Sequence, residues 1–370
     1  MPPLYIGLMS GTSLDGVDGV LADFSGRQPR VLAHASLDMP AALRAELLAL
    51  NSPGPDELHR AALAANALMR LYAQVVQALM VQDGTPPEAV RAIGAHGQTV
   101  RHRPQAFDGT GYTLQLCQPA LLAELTGLCV VADFRSRDVA AGGQGAPLAP
   151  FFHRAWLGQP AGALLSVLNI GGIANLTLLR PDGSQLGFDC GPGNALMDGW
   201  CLAHRGTAYD DQGAWAASGQ VLPALLQALL AEPFFKQQPP KSTGRDLFHA
   251  QWLQQHLDRF GQAAPADVQA TLAELTARAC ADDVRRHAAA LGELVVCGGG
   301  AFNRHLMRRL AALLPGTRVV SSTERGLPPL QVEAAAFAWL AQKALDGEKL
   351  PLQSITGARG ARVLGGIYPA

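Results

Sequence analysis

Residues 4–9 form an apolar run that ends at a polar, glycine-containing turn, Ser10-Gly11-Thr12-Ser13-Leu14-Asp15-Gly16, and a second apolar run follows over 17–24. Ser25-Gly26-Arg27 breaks the pattern, and residues 31–37 give a third run. Short apolar runs bounded by turn residues predict strand, loop, strand, turn, strand. The same grammar returns at residue 164: an apolar run to 170, the break Gly171-Gly172, a run over 174–179, the turn Pro181-Asp182-Gly183-Ser184 and a third run over 185–189. Two copies of one meander predict a duplicated fold with two related domains. Each copy is followed by alternating helical and strand patterns. Apolar residues at 58, 62, 65, 68, 69, 72, 75, 76 and 79 predict a helix over 56–81, with Asp56 as its N-cap. Strands are predicted over 90–95 and 129–134. In the second half, helices are predicted over 268–291, 303–314 and 330–345, a helix starting near Ala195, and strands over 294–297 and 318–321. Alternation of this kind implies α/β domains with partly parallel sheets, in which ligands sit beyond the carboxyl ends of the strands.

A chain of 370 residues with 48% apolar and 16% charged residues has material for two domains with large cores. Its net charge of -1 supplies no global basic field for a nucleic acid backbone, so small-molecule chemistry is the better expectation. The six cysteines, at 117, 129, 190, 201, 280 and 297, form no C-x-x-C pair and no zinc-like spacing, as expected in a reducing cytosol. The N-terminus, Met1-Pro2-Pro3-Leu4-Tyr5, lacks the basic-then-apolar pattern of a signal peptide, and no apolar stretch reaches membrane-spanning length. A cytoplasmic enzyme is the expectation.

Three turns carry candidate chemistry. Gly11-Thr12-Ser13-Leu14-Asp15-Gly16-Val17-Asp18 offers glycines that admit a phosphate, hydroxyl and N–H donors, and Asp15 or Asp18 as Mg²⁺ ligands, directly or through water. Asn169-Ile170-Gly171-Gly172-Ile173-Ala174-Asn175 suits a second phosphate clamp. Taken alone, each fits an ordinary hairpin turn equally well. Gly298-Gly299-Gly300, between the strand ending at Cys297 and a helix opening at Asn303, favours a nucleotide over a packing turn. None of the three is a G-K-[ST] loop or a G-x-G-x-x-G fingerprint. Asp189 ends a strand just before Gly191-Pro192-Gly193, a placement that suits a general base better than a helix cap. Asp133 ends another strand beside Arg135 and Arg137, where a buried ion pair is the alternative. His96-Gly97-Gln98-Thr99 leaves a strand with groups suited to sugar hydroxyls. Glu333 is an isolated charge on an otherwise apolar helix, which points to pairing or function. Arg304, Arg308 and Arg309 read as a solvated helix face.

In their order along the chain, these turns resemble the phosphate-1, phosphate-2 and adenosine motifs of the actin, sugar-kinase and heat-shock ATPase superfamily. The stretches 11–18, His96-Gly97-Gln98-Thr99, Ala132-Asp133-Phe134-Arg135, 169–175, Phe188-Asp189-Cys190-Gly191-Pro192-Gly193-Asn194 and Ile355-Thr356-Gly357-Ala358 are similar to those of the anhydro-N-acetylmuramic acid kinase family. Cys190 departs from the Thr or Ser expected there. The resemblance implies a duplicated actin/hexokinase-like (ribonuclease H-like) α/β fold of two domains, 1–147 joined by 346–370 and 148–345, with an inter-domain active-site cleft that closes on its ligands. It implies ATP and Mg²⁺ as cofactors, and a reaction in which water opens a 1,6-anhydro sugar while O6 is phosphorylated. Asp189 would activate the water and Glu333 would assist. Gly11, Thr12, Ser13, Leu14, Asp15, Gly16, Val17, Asp18, Asn169, Gly171, Gly172, Asn175, Gly298, Gly299, Gly300 and Asn303 would hold ATP. His96, Thr99, Asp133 and Arg135 would contact the sugar, with Arg135 on its lactyl carboxylate. A homodimer in the bacterial cytoplasm, with no nucleic acid or membrane partner, completes the expectation. The rivals are an ordinary sugar or acid kinase, a nucleotide-gated interaction protein and a phosphatase of the same fold.

Overall fold

The computed structural model describes residues 2–11, 13–158, 164–244, 247–261, 263–288 and 292–370. The chain divides into two compact units, Met1–Gly158 with Leu330–Ala370, and Gln159–Pro329.

In the first unit, β1 (Leu4–Met9), β2 (Gly16–Asp23) and β3 (Arg30–Asp38) form an antiparallel meander, and β4 (Val90–Ala95) lies parallel to β1. β5 (Gln98–Pro104) and β6 (Gly111–Leu116) make a separate hairpin. β7 (Val130–Ala132) pairs parallel with β4, and the strand Gly366–Tyr368 closes that edge antiparallel to β7. In the second unit, β8 (Leu165–Ile170), β9 (Ile173–Leu179) and β10 (Gln185–Pro192) repeat the meander, and β11 (Glu293–Cys297) and β12 (Arg318–Ser321) extend it in parallel. Counted within each sheet, both run third, second, first, fourth, fifth, and the first sheet adds Gly366–Tyr368 as a sixth strand beyond β7. The shared order establishes the duplicated α/β, actin/hexokinase-like topology.

Each sheet is covered by helices whose apolar stripes match the strand faces. Helix Glu57–Asp83 buries Leu68, Met69, Tyr72, Val75, Val76 and Leu79. It begins one residue later than the sequence suggests. Asp56 has φ 52 and makes no side-chain cap, so it turns the chain into the helix rather than capping it, and Leu58 is 90% exposed. Helix Gln331–Leu345 lies directly on β1 and β4, where Gly7 and Gly94 face one another in register. A Cβ on Gly7 would stand 1.8 Å from the carbonyl oxygen of Ala334, and one on Gly94 would stand 2.0 Å from that of Phe337. This helix belongs to the first unit, so the sequence division at 345/346 is corrected to 329/330, and that at 147/148 to 158/159. The contact that decides it is the glycine-to-backbone seat. In the second unit, helix Pro265–His287 is buried along most of its length, from Val268 to Val284. On the neighbouring helix Arg304–Leu313, Arg309 is not a solvated residue. Its Nε and Nη2 reach the buried Glu274 carboxylate at 2.7 and 3.1 Å.

Candidate active site

The first turn joins β1 to β2. Leu14 N–H donates to the Gly11 carbonyl at 3.2 Å, and Leu14 itself is buried with φ 56. Asp15 turns Oδ1 back on the loop, where it accepts from Ser13 Oγ at 2.7 Å and Gly16 N–H at 3.0 Å. Gly16 is required by packing, since a Cβ there would meet the Leu37 carbonyl at 2.6 Å. Gly11 is less confined: beyond its chain neighbours, a Cβ there would meet Ser13 Oγ in ordinary contact at 3.5 Å. Thr12 lies outside the described residues. Val17 is buried on β2, and Asp18 sits one strand residue further, 3.3 Å from His34 Nε2. Ser10 below the turn is buried and donates to the Gly97 carbonyl at 2.9 Å, tying the loop to the exit of β4.

The same unit gathers the polar residues after β4 and β7. His96 is buried, and Arg135 donates to its Nε2 from Nε at 3.2 Å and Nη2 at 2.9 Å. Burial, then the Arg135 charge, pushes the imidazole well below its ordinary pKa. A ring nitrogen that accepts from a guanidinium carries no proton, so His96 is neutral with its hydrogen on Nδ1. Thr99 on β5 accepts from Gln115 Nε2 at 3.2 Å. Asp133 is exposed in a left-handed conformation, φ 57, and its Oδ1 accepts Ser136 N–H at 3.4 Å. The arginine beside it, Arg135, is turned instead to His96 and to the Gly145 carbonyl. Glu333 is half-buried near the start of helix Gln331–Leu345.

In the second unit, three stretches separated by up to 130 residues meet. Gly171 and Gly172 form the β8–β9 turn, and their carbonyls accept N–H groups of Gly193, Asn194 and Ala195 at 2.9, 2.8 and 3.2 Å. These donors open helix Ala195–Arg205. Gly298, with φ 75, lies against Asn169 and Ile170: a Cβ would sit 2.5 Å from Asn169 Oδ1 and 2.7 Å from the Ile170 carbonyl. A Cβ on Gly300 would meet the Ile170 side chain at 2.4 Å, whereas one on Gly299 meets only Asn194 Nδ2, at 3.4 Å. Gly171, like Gly11, is only loosely contacted: a Cβ there would lie 3.7 Å from the Ile173 carbonyl oxygen. Asn303 accepts from Leu306 N–H at 2.9 Å and is the N-cap of helix Arg304–Leu313, so its side chain has a structural task.

Asp189 lies on β10 opposite Asn175, next to a bulge, and is 5% exposed. Its N–H donates to the Lys241 carbonyl at 3.1 Å, and its Oδ2 accepts Thr243 N–H at 2.9 Å. Asn175 Oδ1 is buried without a hydrogen-bond partner among the described residues, the kind of atom that a ligand or water satisfies. Lys241 is buried too. Its Nζ donates to Asp283 at 2.9 Å and lies 4.8 Å from the Phe234 ring centre. Burial raises the Asp283 carboxyl, and the Lys241 and Arg286 charges oppose that shift. Sequence reasoning missed Lys241, Thr243 and Asp283. The polar run Lys241-Ser242-Thr243-Gly244 after Pro239-Pro240 was the available signal.

A glycine-cradled turn after the first strand of each meander, and a third between β11 and its helix, define a protein of the actin/hexokinase-like class. Within that class the chain belongs to the anhydro-N-acetylmuramic acid kinase family, whose family model matches residues 3–370. An anhydro-N-acetylmuramic acid kinase of Albidiferax ferrireducens is 62% identical over the full length of both chains. That of Variovorax paradoxus is 63% identical over 99% of each, and that of Ralstonia nicotianae is 59% identical over 99% of this chain and 97% of its own.

Proposed function

We propose that this protein is the ATP-dependent kinase that opens 1,6-anhydro-N-acetylmuramic acid with water and phosphorylates O6, giving N-acetylmuramic acid 6-phosphate and ADP. Membership of the family over the whole chain carries this reading, and the placement of Asp189 supports it. The bridge oxygen has no proton to remove, so a base next to it must act on water. In the proposed step, Asp189 takes a proton from water as the water oxygen bonds to the anomeric carbon. The bond from that carbon to O6 breaks, O6 bonds to the γ-phosphorus and ADP leaves. The Thr243 N–H holds one carboxylate oxygen, which orients the base. Glu333 assists as a second acid/base group.

Phosphoryl transfer is mostly positioning and charge stabilisation. Gly11 and Gly171, whose Cβ positions meet other residues only in ordinary contact, suit a close approach of phosphate to the backbone. The turn from Thr12 to Asp18, with Asn169, Gly172 and Asn175, holds the phosphates, and Gly298 to Gly300 border the adenosine. The carboxylates Asp15 and Asp18 suit Mg²⁺, a hard ion that takes a few carboxylate oxygens and keeps several waters. Each has Oδ2 outside the hydrogen bonds described above. Bound Mg²⁺ would neutralise charge on the transferred phosphate. His96, Thr99, Asp133 and Arg135 face the sugar, with Arg135 on its lactyl carboxylate. The substrate is a cell-wall fragment, which places the enzyme in peptidoglycan recycling in the bacterial cytoplasm, as a homodimer. No helix among the described residues is long and apolar enough to cross a membrane.

The test is an end-point assay with ATP, Mg²⁺ and the anhydro sugar in ¹⁸O-water, read by mass spectrometry at short times. A phosphorylated sugar with ¹⁸O at the anomeric position is expected. Turnover of free hexose instead, with none of this product, would move the protein to the ordinary sugar kinases. Asp189→Asn is expected to fold as the parent does and to lose about a thousandfold in kcat, within the range for a general base. A variant turning over near the parental rate ends the assignment of Asp189.

A further inference from the structure

The family-like stretch Ile355-Thr356-Gly357-Ala358 has no part in the reaction above, yet it is locked into the first unit. Thr356 and Asp138 are both fully buried, 218 residues apart in sequence, and Thr356 Oγ1 donates to Asp138 Oδ1 at 2.6 Å. The other carboxylate oxygen, Oδ2, accepts Gly145 N–H at 2.6 Å. Two backbone bonds fasten the same segments: Gln144 N–H donates to the Thr356 carbonyl at 2.8 Å, and Arg359 N–H to the Ala141 carbonyl at 2.9 Å. A Cβ on Gly143 would lie 2.2 Å from Asp138 Oδ2, so the loop closes tightly round the carboxylate. Gly145, with φ 71, then turns its own carbonyl to Arg135 Nη1 at 2.8 Å. Its N–H is held by Asp138, and its C=O holds the guanidinium.

We propose that Thr356 and Asp138 are positioning residues that set the Arg135 guanidinium for the substrate's carboxylate, acting through the backbone of Gly145. This rests on the reading of Arg135 as the carboxylate contact. The guanidinium is gripped from two sides, by Gly145 and by His96 Nε2, and a planar fork recognises a carboxylate only when its plane is fixed. Asp138 is buried, so losing either donor leaves a carboxylate oxygen without its partner and lets the loop relax. Burial raises the Asp138 carboxyl above its ordinary pKa, and the Thr356 and Gly145 hydrogen bonds and the Arg135 charge oppose that shift. The coupling therefore runs in both directions.

The test uses the full chain with ATP, Mg²⁺ and two sugars. These are the anhydro sugar with its lactyl ether, and 1,6-anhydro-N-acetylglucosamine, which has no carboxylate. Thr356→Val is expected to raise KM for the carboxylate-bearing sugar about tenfold, the scale of one charge-assisted hydrogen bond. The kcat at saturating sugar and KM for ATP are expected to stay within about twofold, and discrimination between the two sugars in kcat/KM to fall by the same tenfold. Thr356→Ser keeps the hydroxyl and should restore all of these. A parental sugar KM in Thr356→Val, or a loss shared equally by the carboxylate-free sugar, overturns the proposal. If Thr356→Val lacks a cooperative melt, Asp138→Asn, of equal size, should show the same split, and a parental KM there overturns the proposal too. Arg135→Met separates the two readings. If it leaves discrimination intact, the carboxylate reading of Arg135 fails and the positioning role fails with it. If it abolishes discrimination while Thr356→Val does not, the positioning role alone fails.

Discussion

His102 on β5 is half-buried, with Nδ1 3.0 Å from Thr113 Oγ1. Burial, helped by the charges of Arg135 and Arg103, lowers its pKa from 6.5 to about 4. His153, fully buried, is lowered by burial to about 3. Above pH 6.5 both rings are neutral whether the chain is folded or not, and their contribution to stability is complete. As the pH falls below 6.5, the unfolded chain takes up protons that the folded rings refuse, and stability is lost until the pH passes the folded pKa. At pH 5, about 1.5 pH units below the unfolded value, each ring has withdrawn about 2 kcal/mol. His102→Gln should therefore lose about 2 kcal/mol less than the parent between pH 7.5 and 5, measured from urea unfolding. An unchanged pH dependence would mean that His102 titrates normally in the folded chain. Glu274 shows the opposite balance. Burial alone would raise its carboxyl, but hydrogen bonds and charge from Arg309 and Arg278 outweigh that and hold it below the usual range.

At the scale of elements, helix Gln331–Leu345 is seated by two glycines that face one another across β1 and β4. The atoms a Cβ would strike are backbone carbonyls, which cannot swing aside as a side chain can. Gly94→Ala must lift the helix or bend the strand, a loss of about 2 kcal/mol or more. A melting temperature equal to the parent's would refute the seat. Neither Gly7 nor Gly94 was legible in sequence as a packing device, because each interrupts an apolar strand without a turn signal. The strands of both meanders were legible within two residues, except that β10 runs three residues past 189 to Pro192, since apolar runs and glycine turns are local signals. The β5–β6 hairpin was not. Gln98-Thr99-Val100-Arg101-His102-Arg103-Pro104 is mostly polar and carries no apolar alternation. Of the site, the turns at 169–172 and 298–300 and the stretch 189–194 could be named from sequence, and the fold brings them together. The Lys241-to-Thr243 stretch that grips Asp189 was not named: its polar run after Pro239-Pro240 marks a loop, but a contact 54 residues away through a backbone N–H leaves no sign of which residue it serves.

At the scale of the molecule, the two units differ in how the chain enters them. The second is one continuous stretch, Gln159–Pro329, and among the described residues its core cluster runs from Leu168 to Leu314, with Leu164 and Val319 packed against it. The first is assembled from both ends of the chain. Its sheet needs the strand Gly366–Tyr368 at one edge, its face needs helix Gln331–Leu345, and its 141–145 loop needs Thr356. Cutting the chain at 329 should therefore have unequal consequences. A fragment spanning 159–329 keeps its five-stranded sheet and all the helices packed on it, so it should unfold cooperatively and show native-like circular dichroism. A fragment spanning 1–158 loses the helix over Gly7 and Gly94 and exposes the apolar face beneath it, so it should aggregate or lack a cooperative transition. Supplying residues 330–370 on a flexible linker after residue 158 should restore the transition, because the missing elements then return without the second unit. A cooperative melt for 1–158 alone would show that the C-terminal segment is only an accessory to the first unit. Failure of 159–329 to fold would show that its core, though continuous in sequence, is not sufficient.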